Sequence, residues 1–292
     1  MDARPAAQFL TMTSQPLAGL RVISTAVNVP GPVAAARLRG MGAEVHKIEP
    51  PGGDPLQIAA PAWYASLSAG QRVRRLNLKE PGERQVFDDL LRNSDLLLTS
   101  TRLKALARLG LDWESLHAAY PRLCQVAIIG YPELDEDLPG HDLTYQAAVG
   151  LVQPPHMPVT LISDLGGAEQ ATSAALALLL ERERLGVSGY AQVSLAQSAR
   201  DFALPVQYGL TAPGGVFGGG LACYRLYAAR EGWIAVAALE PHFWAGLLRE
   251  MGVEPSGAEE KELERLFVTQ TADYWESWAQ SRDLPVLRVR AR

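Results

Sequence analysis

The sequence predicts an α/β fold, a parallel sheet with helices on both faces, and three observations predict it. Short apolar, β-branched runs alternate with longer runs of helical character through the first 210 residues. Glycine or proline stands at most of the junctions between them. The chain has 292 residues, of which 48% are hydrophobic. This is enough to bury one large core and leaves room for a second, smaller domain.

The first elements along the chain form a predicted βαβ unit. Residues 20–25 are an apolar strand, and a Pro-Gly-Pro turn leads into a helix of small residues around 34–38. Gly42 ends that helix, and residues 43–49 form the next strand. The alternation continues with a helix at 82–92, a strand at 95–98, a helix at 113–119, and strands at 123–129 and 190–195. Strands that alternate with helices in this way predict a parallel sheet.

The segment with the most chemical interest is predicted to be a strand at 159–163, then Asp164, then a helix at 166–184. An aspartate at such a junction has two interpretations. It can be the N-cap of the helix, which the spacing alone favours, or a carboxylate that acts as base or nucleophile at the carboxyl end of a strand. His141 lies upstream, and a histidine there is either an ordinary loop residue or a group that exchanges protons near neutral pH.

The domain boundaries follow changes in composition. We predict a flexible leader at 1–16, a large domain at 17–210 and a glycine-rich linker at 211–222. The remaining residues, 223–292, predict a small α+β domain with a hairpin followed by helices near 242–251, 259–270 and 274–281.

Charge and cysteine content exclude several classes of protein. The formal net charge of −5 and the pI of about 5.6 argue against a nucleic-acid partner. The two cysteines lack metal-ligand spacing, so neither a metal site nor a disulfide framework is predicted. The longest apolar run, 174–180, is too short to span a bilayer, and no signal peptide is recognisable. We therefore expect a cytoplasmic protein without a membrane partner.

Two windows without acidic residues, 55–79 and 96–111, concentrate positive charge on this acidic chain. One interpretation is a solvated face, and the other is a site that grips the phosphates of a small molecule. A Pro/Gly-rich segment at 50–67, predicted to be a loop that covers a site, precedes the first cluster. The candidate phosphate-binding residues are Arg72, Arg74, Arg75, Arg102 and Arg108.

Runs of residues along most of the chain resemble those of one family. They are residues 16–22 (PLAGLRV), 42–45 (GAEV), 47–54 (KIEPPGGD), 76–79 (LNLK), 108–111 (RLGL), 164–167 (DLGG), 189–193 (GYAQV) and 232–236 (GWIAV). Their order and spacing are similar to the family III CoA-transferases (CaiB/BaiF type) and their relatives, the α-methylacyl-CoA racemases. The runs 140–145 (GHDLTY) and 238–243 (ALEPHF) resemble the racemase branch.

The resemblance implies a Rossmann-like large domain, a small domain and a homodimer of two interlocked chains. It implies His141 and Asp164 as the acid/base pair, with Glu240 supporting the imidazole. Gly166 and Gly167 would offer backbone N–H groups to the oxygen of the intermediate. The substrate would be a coenzyme A thioester, and no tightly bound cofactor is expected. The favoured reaction is α-proton exchange of a 2-methylacyl-CoA, and the alternative is CoA transfer between carboxylic acids through Asp164.

Departures from the family pattern leave a third alternative, a non-catalytic acyl-CoA binder or scaffold. The usual Asn-Arg-Gly-Lys-Arg run is replaced by residues 68–72 (SAGQR), and Glu-Asn-Phe-Arg-Pro-Gly by residues 99–104 (TSTRLK). From the resemblance we also expect residues 223–292 to form the small domain without the segment that in the family returns to the large domain.

Overall fold

The computed structural model describes residues 14–132 and 138–290. They form two compact units, Met1–Ala203 and Leu204–Arg292. Most of the predicted leader, residues 1–13, lies outside the described residues.

The first unit is built on a parallel sheet that, within the described residues, has six strands. They are β1 (Arg21–Ser24), β2 (Glu44–Glu49), β3 (Arg72–Arg75), β4 (Leu96–Thr99), β5 (Cys124–Ile129) and β6 (Tyr190–Ser194). Their spatial order is β3-β2-β1-β4-β5-β6, and each neighbouring pair is parallel. This is a Rossmann-like order, so the predicted α/β class and the parallel sheet are confirmed.

Helices cover both faces of this sheet because successive strand residues point to opposite sides. The helices are α1 (Pro30–Gly40), α2 (Pro55–Ala59), α3 (Pro61–Ser68), α4 (Pro81–Arg92), α5 (Leu103–Arg108), α6 (Trp113–Ala119), α7 (Asp142–Ala148), α8 (Ile162–Leu185) and α9 (Leu195–Gln207). On β1, Val22 packs into the apolar cluster that α1 and α8 share. The next residue, Ile23, packs into the cluster that α4, α5 and α6 cover.

Two local predictions are wrong. Residues 159–163 are not a strand, since α8 begins at Ile162 and places Asp164 in its first turn. A short, mostly apolar run of five residues fits a buried strand and the start of a helix equally well. The two can be told apart only by the length of the complete element. The segment 50–67 is not a plain loop, because its prolines Pro55 and Pro61 occupy the first positions of α2 and α3. Proline is favoured there because its missing N–H is not needed.

The second unit contains an antiparallel sheet and three helices among its described residues. The strands are β7 (Tyr224–Ala228), β8 (Trp233–Ala237) and β9 (Val286–Arg288), and the helices are α10 (Pro241–Met251), α11 (Glu259–Phe267) and α12 (Ala272–Gln280). The strand β8 lies between the other two. Its inward residues Ile234 and Val236 pack against Leu247, Phe267 and Trp275 of the helices. The small antiparallel sheet that the sequence predicts is thus present.

Candidate active site

A cavity of about 300 Å³ lies at the carboxyl ends of β1, β4 and β5. The segments that follow these strands supply Asn28, Ser100, Arg102 and Gly130 to its wall. In this strand order the connections run in opposite directions from β1 and β4, and ligands of open α/β sheets bind at such a switch point. The fold therefore places the cavity where a substrate site is expected.

His141 and Asp164 both line this cavity, so the structure brings the predicted pair together. The exposed His141 has an extended backbone and stands at the N-cap of α7. Its N–H donates to Thr144 Oγ1 (3.0 Å), and that hydroxyl donates to the His141 carbonyl (2.8 Å). These bonds hold the backbone of His141 at the cavity.

The start of α8 is capped by Asp142, a residue that the sequence did not single out. Its Oδ1 accepts from the N–H of Ser163 (2.8 Å) and of Asp164 (3.1 Å). Gln146 Nε2 donates to the other oxygen of Asp142 and to the Thr160 carbonyl (3.0 Å). The N-cap interpretation of Asp164 is therefore wrong, because the cap comes from the side chain of Asp142, 22 residues before Asp164. Nothing among the described residues donates a hydrogen bond to the Asp164 carboxylate, so its oxygens are available to a ligand in the cavity.

The surroundings of Asp164 make it an unusually weak acid. Burial raises its pKa to about 7, and the charge of Asp142 beside it adds to the shift. Both effects disfavour a second negative charge at this point. A carboxyl group with a pKa near the working pH is suited to give and take protons.

Tyr145 is a further cavity residue that sequence reasoning missed. Its side chain is 3% exposed, and burial, with the charges of Tyr131 and Asp164 nearby, raises its pKa to about 12. The phenol therefore stays protonated at neutral pH. Its place four residues after His141 was the available signal, because Tyr145 then lies in the first turns of the helix that follows His141.

A buried charge network holds the cavity segment that follows β1. Lys47, 1% exposed, is ion-paired with Asp54 and donates to the Ala26 carbonyl (3.4 Å). Asp54 also accepts from the N–H of Asn28 (2.9 Å), whose φ of 66° is rare for a non-glycine residue. The pair thus fixes a strained turn on the cavity wall. The resemblance matched the run that contains Lys47 and Asp54, but it assigned them no role.

Of the predicted phosphate-binding residues, Arg102 lines the cavity. The other four are not part of its wall. Arg72, Arg74 and Arg75 lie on β3 at the edge of the sheet, and Arg108 is the last residue of α5. Arg72 is ion-paired with Glu44 (3.0 Å) and Arg75 with Glu49 (3.7 Å). The roles of these arginines remain predictions.

The predicted oxyanion donors Gly166 and Gly167 lie in the second turn of α8, outside the cavity wall. The N–H groups at such positions bond within the helix. A Cβ on Gly166 would collide with Phe202 and Ser198, and one on Gly167 with Leu195. The structure therefore gives these glycines a packing role against α9. Glu240 stands at the N-cap of α10 in the second unit, and its predicted support of His141 remains a prediction.

The fold and cavity together define an α/β protein with a His/Asp site at the carboxyl edge of a Rossmann-like sheet. The family model described as CoA-transferase family III matches residues 17–292, and the chain belongs to that family. The family resemblance in the sequence is thereby confirmed.

Individual relatives include transferases and racemases. The chain is 34% identical over 202 residues to the cinnamoyl-CoA:phenyllactate CoA-transferase of Clostridium sporogenes, covering 62% of this chain and 49% of that protein. It is 27% identical over 256 residues to the α-methylacyl-CoA racemase of Homo sapiens, covering 82% and 65%. The chain spans about half the length of the curated relatives that it matches first.

Solved structures share the fold. A hypothetical protein of Mycobacterium tuberculosis is 23% identical with a TM-score of 0.81, over 95% of this chain and 84% of that one. A CaiB/BaiF family protein of Brucella suis is 20% identical with a TM-score of 0.78, over 95% and 85%.

The described residues show neither a metal cluster nor a membrane-spanning helix. No cluster of three or more His, Cys, Asp or Glu side chains in residues 14–132 and 138–290 has the arrangement of a metal site. No helix in the same ranges is long and apolar enough to cross a membrane.

Proposed function

We propose that this protein exchanges the α-proton of a 2-methylacyl-CoA thioester, which racemises the α-carbon. The observation that carries the proposal is the pairing of His141 with a carboxyl group of pKa about 7 on one cavity. Inversion needs a base on one face of the substrate and an acid on the other, because a single group would return the proton to the side it left.

The proposed reaction has two proton transfers. One of the pair removes the α-proton, the C–H electron pair forms a C=C bond, and the carbonyl π electrons move to the thioester oxygen. The other then protonates the α-carbon of this enolate from the opposite face. When His141 removes the α-proton, His141 must start neutral and Asp164 protonated. When Asp164 removes it, Asp164 must start as the carboxylate and His141 as the imidazolium. A pKa of about 7 keeps both forms of Asp164 populated at neutral pH.

Deuterium wash-in tests the proposal. The full chain is incubated with 2-methylacyl-CoA esters in D₂O, and incorporation at the α-carbon is read by mass and NMR. We expect incorporation that falls by about 10³-fold or more in Asp164→Asn and in His141→Ala. His156→Ala is the matched control, because His156 is an exposed loop histidine away from the cavity wall. Full exchange in Asp164→Asn would refute the mechanism.

CoA transfer is the second candidate function, and the transferase relatives together with the unbonded Asp164 carboxylate favour it. In this reaction the carboxylate attacks the thioester carbonyl and expels CoA thiolate, which leaves a mixed anhydride. The thiolate then attacks the Asp164 carbonyl and releases the acyl group as a free carboxylate, so that CoA is held as a thioester on Asp164.

Intact-mass spectrometry separates the two candidates. Transfer predicts a chain that gains the mass of CoA less one water with an acyl-CoA donor and becomes a hydroxamate with hydroxylamine, and Asp164→Asn abolishes both changes. Proton exchange leaves the mass of the chain unchanged, and His141→Ala eliminates it while sparing transfer. Tight acyl-CoA binding in calorimetry with neither reaction would instead support the non-catalytic binder.

A further inference from the structure

The hydroxyl of Tyr145 is the feature of the cavity that the proposed reaction has not yet used. The aromatic ring is buried among Ala196 and Ala199 and lies edge-on to Tyr131, with ring centroids 5.1 Å apart and planes at 79°. The side chain nevertheless lines the same cavity as His141 and Asp164. The ring is thus fixed by packing at the cavity wall.

The space around this hydroxyl is kept open by two glycines. A Cβ on Gly130, at the end of β5, would lie 2.6 Å from the Tyr145 hydroxyl oxygen. A Cβ on Gly140 would lie 2.8 Å from the same atom. Both distances are shorter than any tolerable contact, so a larger residue at either position would displace the phenol. The backbone on two sides therefore fixes where the hydroxyl lies.

The residue is 3% exposed, and its hydroxyl has no hydrogen-bond partner among the described residues. Because Tyr145 lines the cavity, a ligand or a water there can accept a hydrogen bond from this hydroxyl. An unpaired donor held rigidly at a substrate cavity is the arrangement that stabilises a developing negative charge.

Several other groups near the site are less suited to this role. Asp142 accepts the N–H groups of Ser163 and Asp164. Gly166 and Gly167 lie within the helical ladder of α8. The Arg102 side chain reaches the cavity, but it belongs to an exposed residue with many rotamers.

We propose that Tyr145 donates a hydrogen bond to the thioester oxygen of the substrate and strengthens that bond as the oxygen becomes an enolate. This inference rests on the proposed function, since it requires an acyl-CoA in the cavity. The phenol keeps its proton throughout, which its raised pKa of about 12 favours at neutral pH. The same bond would stabilise the tetrahedral oxyanion of CoA transfer, so Tyr145 would be a catalytic residue in either reaction.

The kinetic test compares Tyr145→Phe with Tyr131→Phe. Both variants remove one hydroxyl and keep the ring, and Tyr131 is not part of the cavity wall. We expect Tyr145→Phe to lower the exchange rate at saturating ester by about 10²-fold, with KM within about threefold, because one oxyanion donor is lost. Tyr131→Phe should stay within about twofold of the unchanged chain. A Tyr145→Phe variant that keeps its full rate in an active protein would overturn the tyrosine proposal alone.

A binding test does not depend on turnover. In the Asp164→Asn background, calorimetry compares a 2-methylacyl-CoA with its thioether analogue, in which CH₂ replaces the carbonyl. We expect Tyr145→Phe to weaken the thioester roughly three- to tenfold and to leave the thioether unchanged. Equal weakening of both ligands would mean that the phenol only packs. If neither ligand binds while Tyr145 is intact, the acyl-CoA function itself fails and the tyrosine proposal fails with it.

Discussion

Asp142 and Asp164 are both carboxylates at the start of α8, but their surroundings differ. The oxygens of Asp142 accept hydrogen bonds from two backbone N–H groups and from Gln146. The carboxylate of Asp164 receives none from the described residues and faces the cavity. Two nearby carboxyl groups in unlike environments are a common way to give one of them a pKa near neutrality.

Asp142→Asn should lower the pKa of Asp164, because it removes the negative charge that resists ionisation. The pKa should stay above the ordinary 3.8, since burial is the larger cause and remains. The asparagine oxygen still accepts from Ser163 and Asp164, so the start of α8 is expected to persist. The measurement is an NMR titration of the Asp164 side-chain carbon in both proteins. An unchanged midpoint near pH 7 would show that the charge of Asp142 is not felt.

Asp164→Asn should stabilise the fold above neutral pH. The carboxyl pKa is about 7 in the folded chain and about 3.8 in an unfolded one, so the folded state retains the proton longer. Wild-type stability therefore falls between pH 4 and 7 through this group and levels off above, while asparagine has no proton to lose. We expect the variant to gain about 1–3 kcal/mol at pH 8, less than three full pKa units would give, because water in the cavity screens the charge.

Urea unfolding of both chains at pH 4 and pH 8 measures this difference. Near pH 4 the two free energies of unfolding should agree within about 0.5 kcal/mol, since both sites are then neutral. If Asp164→Asn were more stable than the wild-type chain by the same free energy at both pH values, the gain would come from packing and not from charge.

The helix α8 carries Asp164 in its first turn and makes a close contact with α9. Gly166, two residues after Asp164, meets Phe202 and Ser198 across this contact, where a Cβ would collide. We expect Gly166→Ala to destabilise the first unit by about 1–3 kcal/mol and to lower activity, because the turn that carries Asp164 must shift.

Gly82→Ala is the control for this prediction. Gly82 lies in the first turn of α4, and a Cβ there meets nothing within 4 Å. Alanine should be neutral or add up to about 1 kcal/mol of stability there through helix propensity. Thermal unfolding and the exchange assay read both effects, and equal stability of the two variants would contradict the packing role.

The elements that the sequence predicted well are those whose apolar pattern is local. The strand β5 is buried along its whole length and was placed within one residue at its start. The strand β3 was missed, because three of its four residues are arginines and the strand is exposed at the sheet edge. Apolar patterns reveal buried strands, and an exposed edge strand of charged residues has no such pattern.

The candidate site shows the same limit. Asp164 and His141 were identified by residue type and family resemblance, yet their shared cavity depends on the sheet. The cap by Asp142 joins residues 21 positions apart, and no helical or strand period links them. The spacing alone therefore favoured Asp164 as the N-cap of α8, and the family resemblance favoured its role as a base or nucleophile. Tyr145 was missed because an aromatic residue in a helix is usually part of the core.

At the scale of the first unit, the order of strands explains why these residues meet. The strands β2 and β3 lie on one side of β1, and β4, β5 and β6 lie on the other. The loops after β1, β4 and β5 therefore separate and leave a gap at their carboxyl ends, which α7 and α8 border with His141 and Asp164. The buried Lys47 and Asp54 pair fixes the turn after β1 on that gap.

For the whole molecule, the family resemblance predicts a homodimer of two interlocked chains, like two links of a chain. Chains linked in this way cannot separate without unfolding, so their association does not follow mass action. We expect light scattering to give twice the chain mass of 31.6 kDa at every dilution tested. A tagged and an untagged preparation, mixed when folded, should form no mixed dimers over a day, and joint unfolding and refolding should form them. A chain-mass particle, or rapid exchange between folded dimers, would contradict interlocking.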